Sequence, residues 1–278
     1  MSEILIASFY KFAHLDDLVK LQESLLACCK REAIFGTILL APEGINGTIA
    51  GLSGNMERVF EFLRAESGLS DLQYKSSWNS KMPFKKLKVR IKSEIVTFGL
   101  EKADPLEQVG TYVSAKDWNN LIKDPQVVLI DTRNHYEVEI GTFQGALDPH
   151  TESFGEFAEY VRQNLDPQKH KKIAMFCTGG IRCEKATSFM LKEGFEQVYH
   201  LQGGILEYLR QVKAQESLWQ GECFVFDDRV ALKIGLEQGT TKMCFGCGLP
   251  IASIEQDCPN CRSKLQSDSQ PIGNSDAT

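Results

Sequence analysis

Several things are missing from this chain, and each absence closes off a class of function. No apolar stretch approaches the ~20 residues that would cross a bilayer, so no membrane partner is expected. The start, Met1-Ser-Glu-Ile-Leu-Ile, has no basic segment leading into a long apolar core. No signal peptide is expected, and the expected compartment is the cytoplasm. An excess of positive charge is also absent: 31 Lys and Arg face 37 Asp and Glu, a net charge of -6. That argues against a uniformly basic nucleic-acid binder while leaving room for a local basic surface. There is no internal repeat, no flavin fingerprint and no haem signature. With 42% apolar and 24% charged residues, the composition is that of a soluble globular protein.

Cysteine, by contrast, is plentiful. There are 9, an odd number, and four of them form paired C-x-x-C units near the C-terminus. Without an export signal, metal binding and thiol chemistry fit this usage better than a disulfide framework.

At 278 residues the chain suits two domains and a small third. Residues 3–12 alternate like a strand, and Leu18, Leu21, Leu25, Leu26 and Cys29 then recur at helical spacing. Ile34–Leu40 and Ile45–Ile49 predict two strands joined by a turn at Ala41-Pro-Glu-Gly44. A second helix begins after Ser53, and extended segments at Leu72–Trp78 and Leu87–Val96 close the unit. This βαββαβ order predicts a ferredoxin-like α+β sandwich over residues 1–99.

Residues 100–111 read as a linker. Over 112–217 strands and helices alternate: Val127–Ile130, Lys172–Phe176 and Gln197–Leu201 are the apolar runs, implying an α/β domain with a parallel sheet. Residues 218–265 form a cysteine-rich segment that opens with an extended, hairpin-like piece, and 266–278 a polar tail expected to be disordered.

The stretch Met175-Phe-Cys-Thr-Gly-Gly-Ile-Arg-Cys183 carries the chemistry. A buried strand delivers Cys177 to a short loop, Thr178, Gly179, Gly180, Ile181 and Arg182, ahead of a helix from about Arg182 to Glu193. At the carboxyl edge of such a sheet ligands bind. Loop N–H groups and the positive end of a helix dipole favour an anion there. Cys177 should therefore have a lowered pKa and act as a nucleophile. Arg182 follows after four intervening residues, a ring that suits a single sulfur or oxygen atom better than a phosphoryl group. Cys183 reads either as a resolving thiol or as a small apolar helix residue.

Cys244-x-x-Cys247 and Cys258-x-x-Cys261 supply four thiolates at knuckle spacing, as structural zinc requires. A segment this small has little core of its own, so the metal would hold it together. His14-x-Asp16 and His135-x-Glu137 have the His-x-carboxylate spacing of a non-haem iron triad, but neither has a second histidine clearly placed for it. Lys81, Lys85, Lys86, Lys88 and Arg90, with Trp78 and Phe84 nearby, form a local basic patch in an acidic chain. Two readings stay open: a surface for phosphates and stacked bases, or a strand edge protected by lysines.

Three motifs around Cys177 resemble the rhodanese domain: Leu129-Ile-Asp-Thr-Arg-Asn-His-Tyr-Glu137 with Gly141–Ala146, Cys177–Arg182, and Gly194–Gly204. That family carries sulfane sulfur on the loop cysteine as a persulfide and has a structural glutamate where Glu137 stands. Over residues 4–264 the chain is similar to the rhodanese-domain tRNA uridine hydroxylases (TrhO/YceA type). The residues that carry this likeness are Leu40–Gly51, Lys88–Thr97, Cys177–Ala186, Phe226–Val230 and the C-terminal cysteines. The resemblance implies oxygen-dependent hydroxylation at C5 of the wobble uridine in the tRNA anticodon region, giving 5-hydroxyuridine, with Cys177 essential. Molecular oxygen would be a co-substrate; the residues do not reveal the electron donor. The alternatives are a rhodanese-type sulfurtransferase and a tRNA-binding protein with a vestigial rhodanese domain.

Overall fold

The computed structural model describes residues 3–100, 103–251, 258 and 261. The expected tail, 266–278, lies outside these residues.

The first unit runs β1 (Ile4–Phe12), α1 (Leu18–Arg31), β2 (Phe35–Ala41), β3 (Gly44–Gly51), α2 (Ser53–Arg64), β4 (Lys75–Asn79) and β5 (Leu87–Ile91). The sheet order is β4-β1-β3-β2-β5, with β1 antiparallel to both β3 and β4. This is the expected ferredoxin-like sandwich with an added edge: β5 pairs parallel to β2, Ile38 opposite Val89. The extended segment expected to reach Val96 stops at Ile91. The Glu94 carboxylate accepts the N–H groups of Phe98 and Gly99, each at 3.0 Å, and turns the chain away from the sheet.

Alternation along the central strands sorts the faces of this sheet. Leu5, Ala7, Ile38, Leu40, Ile45 and Ile49 point to the helices and join a core with Leu25, Val59, Phe60 and Leu63. Ile6, Ser8, Thr37, Leu39, Asn46 and Thr48 point the other way.

The second unit contains β6 (Thr111–Val113), α3 (Ala115–Ile122), β7 (Val127–Asp131), α4 (His135–Val138), β8 (Gly141–Phe143), α5 (Phe157–Asn164), β9 (Lys172–Phe176), α6 (Ile181–Lys192), β10 (Gln197–Leu201) and α7 (Gly204–Gln211). Strands β6-β10-β9-β7 form a parallel sheet. Ser114 caps α3 as its position predicts, accepting the N–H of Asp117. Thr111, read from sequence as linker, is the first residue of the edge strand β6, which pairs with β10 through Tyr199.

Beyond α7, β11 (Trp219–Gly221) pairs with β8, and β12 (Cys223–Phe224) with β13 (Ala231–Leu232) form the expected hairpin. β14 (Lys242–Met243) and β15 (Pro250–Ile251) make a small hairpin at the cysteine cluster. Among the described residues no helix is long and apolar enough to cross a membrane.

Candidate active site

Strand β9 ends at Phe176, and Cys177 is 1% exposed at the mouth of the loop to α6. The turn depends on Gly180, whose φ of 102° lies in the left-handed region and whose N–H donates to Cys177 Sγ at 3.1 Å. From the far side α7 braces the loop: Ile205 N–H donates to the Cys177 carbonyl at 2.9 Å and Leu206 N–H to that of Thr178 at 3.1 Å. Gly204 has to be glycine, because a Cβ there would lie 2.5 Å from the Cys177 carbonyl oxygen.

Burial opposes the Cys177 thiolate, but it is outweighed by the Cys183 thiol, the Arg182 charge and the N–H groups of Cys183 and Gly180. The result is a pKa lowered from 9 to about 5. Cys183 moves the opposite way: burial and the neighbouring Cys177 raise its pKa well above the usual thiol range. One sulfur of the pair therefore favours the thiolate, and its partner holds a proton toward it.

Arg182 is not free to grip a substrate anion. Its guanidinium makes a bidentate pair with Glu137, 2.6 and 2.8 Å, and Glu137 is fully buried. Glu137 also accepts from the Thr178 hydroxyl at 3.3 Å and closes the capping box of α4 through the Asn134 N–H at 3.1 Å. A second buried pair lies behind the first: Arg133 grips Asp131 at 2.9 and 2.6 Å and stacks over Trp219. Arg182 thus sets the shape and the electrostatics of the loop from within.

The ferredoxin-like unit completes this site, which the sequence did not reveal. Lys75 of β4 donates to the Gly179 carbonyl at 2.5 Å with its ammonium over the Tyr10 ring. Burial lowers the Lys75 pKa, opposed by the charges of Cys177, Glu207 and Glu184. Tyr10 and Tyr112 donate to the two oxygens of Glu184 at 2.8 and 2.7 Å. Burial raises the Glu184 pKa against those hydrogen bonds. One residue on, Lys185 is 2% exposed and is clamped by Glu43 at 2.8 Å and Glu94 at 2.5 Å. The available signal was a run of charges, Arg182-Cys-Glu-Lys185, with Glu43 and Glu94 inside the two N-terminal motifs of the resemblance. Of that run, Lys185 is neutralised across the interface between units, Glu184 accepts from one tyrosine of each unit, and Arg182 is paired within its own unit.

Between them the units enclose a cavity of about 660 Å³. One wall is the second face of the first sheet, with Ser8, Asn46 and Thr48; another is the Cys177 loop. The third is the segment after β12, including Asp227, Arg229 and Phe226, a residue 65% exposed. Arg229 ties that segment down, pairing with Asp227 at 2.6 Å and donating to Ser77 at 2.8 Å.

Lys81, Lys85, Lys86, Lys88 and Arg90 are all exposed and form no ion pair with a described residue. They flank Phe84, which lines the cavity, while Pro83 is anchored to the C-terminal segment by the Asp228 N–H at 3.0 Å. The sulfurs of Cys244, Cys247, Cys258 and Cys261 all lie within 4.8 Å of one another, so this cluster could hold a metal ion. Cys244 to Cys261 is 3.4 Å and Cys247 to Cys258 is 3.6 Å.

The iron-triad spacing needs correction on one point. Glu137 is committed to Arg182, but His135 does gain a second histidine: His150 Nδ1 lies 3.1 Å from His135 Nδ1.

Residues 4–95 match the family described as the UPF0176 acylphosphatase like domain, and residues 114–211 match the rhodanese-like domain. The chain belongs to the UPF0176 family. This pairing of domains is the architecture of the TrhO/YceA type. Among solved structures, the UPF0176 chain resembles the rhodanese-like domain of the Anabaena Alr3790 protein at 18% identity and a TM-score of 0.34, covering 41% of this chain and 80% of that one. It also resembles a Rhodopseudomonas palustris protein described as a possible tyrosine phosphatase, at 24% identity and a TM-score of 0.31, covering 37% and 82%. The dark-state BLUF protein BlrB matches at 18% identity with a TM-score of 0.30, covering 33% and 73%.

Proposed function

We propose that this UPF0176 chain is an oxygen-dependent tRNA uridine hydroxylase that forms 5-hydroxyuridine at the wobble position. The observation that carries the reading is the cavity: a low-pKa cysteine forms part of the wall of a 660 Å³ space shared with a second domain. Ligand pockets of a few hundred Å³ and upward suit a nucleoside rather than a small sulfur donor. An enzyme working on a base takes it out of the stack into such a pocket, reading its edge through polar groups and stacking its face on aromatic rings. Here Asn46, Thr48 and Ser77 supply polar groups, and Phe84 and Phe226 supply rings.

In this reading the Cys177 thiolate adds to C6 of the uracil. The C5–C6 electron pair moves toward C5 and the O4 carbonyl, making C5 electron-rich. Hydroxylation then takes one oxygen atom from dioxygen into C5, and the other leaves as water with electrons and protons from an external reductant. Loss of the C5 proton to solvent, with expulsion of the thiolate from C6, restores the C5–C6 double bond. The exposed lysines at 81, 85, 86 and 88, with Arg90, would carry the phosphates of the anticodon arm past the cavity mouth. The cysteine cluster would hold structural zinc. A tetrahedral Zn–S length of ~2.3 Å implies sulfurs about 3.8 Å apart, close to the separations of 3.4 and 3.6 Å.

Mass spectrometry of tRNA nucleosides from cells carrying Cys177→Ser tests the reading. Loss of 5-hydroxyuridine is expected; unchanged levels in cells without a second route to it would overturn the assignment. The rhodanese-like match favours one other reading, sulfur transfer through a Cys177 persulfide to a thiol or tRNA-modification acceptor. That reading requires thiosulfate-dependent loading of sulfur on Cys177 in the purified protein.

A further inference from the structure

Beside the rhodanese loop, α4 and the segment that follows β8 bring together three metal-ligating side chains that the proposed reaction does not use. We propose that His135, Asp148 and His150 form a second metal site, for a divalent first-row transition ion such as iron(II), cobalt(II) or zinc(II).

The donor atoms are already in place. His135 Nδ1 lies 2.7 Å from Asp148 Oδ2, His150 Nδ1 lies 3.1 Å from His135 Nδ1, and His150 Nδ1 lies 3.6 Å from Asp148 Oδ2. Ligands about 2.1 Å from a metal sit ~3.0 Å apart at octahedral angles and ~3.4 Å apart at tetrahedral ones. The observed triangle brackets both values. In the absence of an ion, two ring nitrogens and one carboxylate oxygen share protons that cannot satisfy all three edges together. A cation satisfies the three with their lone pairs.

The surroundings hold these groups for that purpose. The other carboxylate oxygen of Asp148 accepts the His150 N–H at 2.8 Å, leaving Oδ2 turned to the imidazoles. His150 stands in the left-handed region at φ 54°, a conformation that this contact helps to stabilise. The His135 N–H donates to the Thr151 carbonyl at 2.8 Å, joining the two segments. On the far side of the His135 ring, Glu139 lies 3.6 Å from Nε2, the position from which a carboxylate orients a ligating histidine.

Two histidines and one carboxylate on one side of an ion make the set used by non-haem iron sites, with the remaining positions open. Solvent reaches the group: the His150 side chain is 72% exposed and that of His135 33%. The site is thereby unlike the four-cysteine cluster, whose protein ligands would fill a tetrahedral shell.

Equilibrium dialysis of the full-length protein with zinc, followed by elemental analysis, tests the proposal. Wild type should bind about one equivalent more than Asp148→Asn or His150→Ala, with affinity for that equivalent falling by more than ~10-fold in each variant. Cobalt loading should add weak nitrogen- and oxygen-ligated bands that both variants lose, while the thiolate–cobalt bands persist. Thermal unfolding of His150→Ala at the wild-type temperature shows that the loss is local. Equal stoichiometry and affinity in wild type and variants would overturn the site, as would a wild type that binds no further equivalent. Neither result bears on the nucleoside test of Cys177→Ser, so failure here leaves the hydroxylase reading standing.

Discussion

In the central sheet, successive residues of one strand enter two different cores. Ile173 and Met175 pack with Phe157 and Phe189 on one side, and Ala174 and Phe176 pack with Trp118 and Tyr208 on the other. The ferredoxin-like sheet has only one such face. Its other face is polar and half-apolar by turns, and it lines the cavity with Cys177. A sheet covered on both sides can position a loop rigidly, because each strand is over-determined by packing. A sheet with one uncovered face can offer a wall to a substrate. The site joins the two properties: the rigid sheet holds Cys177, and the half-covered sheet shapes the space in front of it.

The hardest blow to that division should be Arg182→Ala. It leaves Glu137 as a buried charge without its partner, a cost of about 3–5 kcal/mol. Denaturant unfolding should show the loss; a change within ~1 kcal/mol would mean that the pair does not organise the loop.

Next in size, neighbouring residues of β2 should behave differently. Leu40→Ala removes a fully buried core side chain and should cost ~2–5 kcal/mol. Leu39→Ala, on the cavity wall, should cost under half as much and should instead weaken substrate binding. Equal costs would erase the distinction between the faces.

Tyr10→Phe removes the hydroxyl through which the first sheet grips Glu184 and should cost about 1–3 kcal/mol, because a buried carboxylate oxygen loses its donor. A stability equal to wild type would show the two units joined without this contact.

A smaller effect concerns RNA alone. Replacing Lys85, Lys86 and Lys88 together with Ala should weaken tRNA binding and flatten its salt dependence, without moving the unfolding midpoint. An unaltered salt slope removes the patch from the interface.

The subtlest effect is one of pH. Alkylation of Cys177 should titrate near pH 5 rather than near the ~8.5 of an ordinary thiol. The folded pKa lies below the unfolded one, so this group's stabilising contribution is complete above the unfolded value. It fades as pH falls toward the folded value. An alkylation midpoint above ~8 would mean that the loop does not favour the thiolate.

Much of this was legible in the order of residues, because periodicity and turn chemistry are local. The alternation along β1 to β3, the apolar run of β9 and the glycines after Cys177 were each readable in place. So was the paired spacing of Cys244, Cys247, Cys258 and Cys261. What stayed hidden depended on pairs far apart in the chain: Lys75 with Gly179, Tyr10 with Glu184, Glu43 and Glu94 with Lys185. The role of Arg182 turned on the same thing, since only the fold shows that Glu137 already occupies it. His135 and His150 are 15 residues apart, a separation with no periodic signature.

By itself, then, the sequence determined where a cysteine of lowered pKa and a four-cysteine cluster able to hold a metal would stand, since backbone geometry and ligand spacing are written within a few residues. Only the tertiary structure decided what faces that cysteine. Coulombic and hydrogen-bonding partners act through space, and burial decides which buried charge must find which partner.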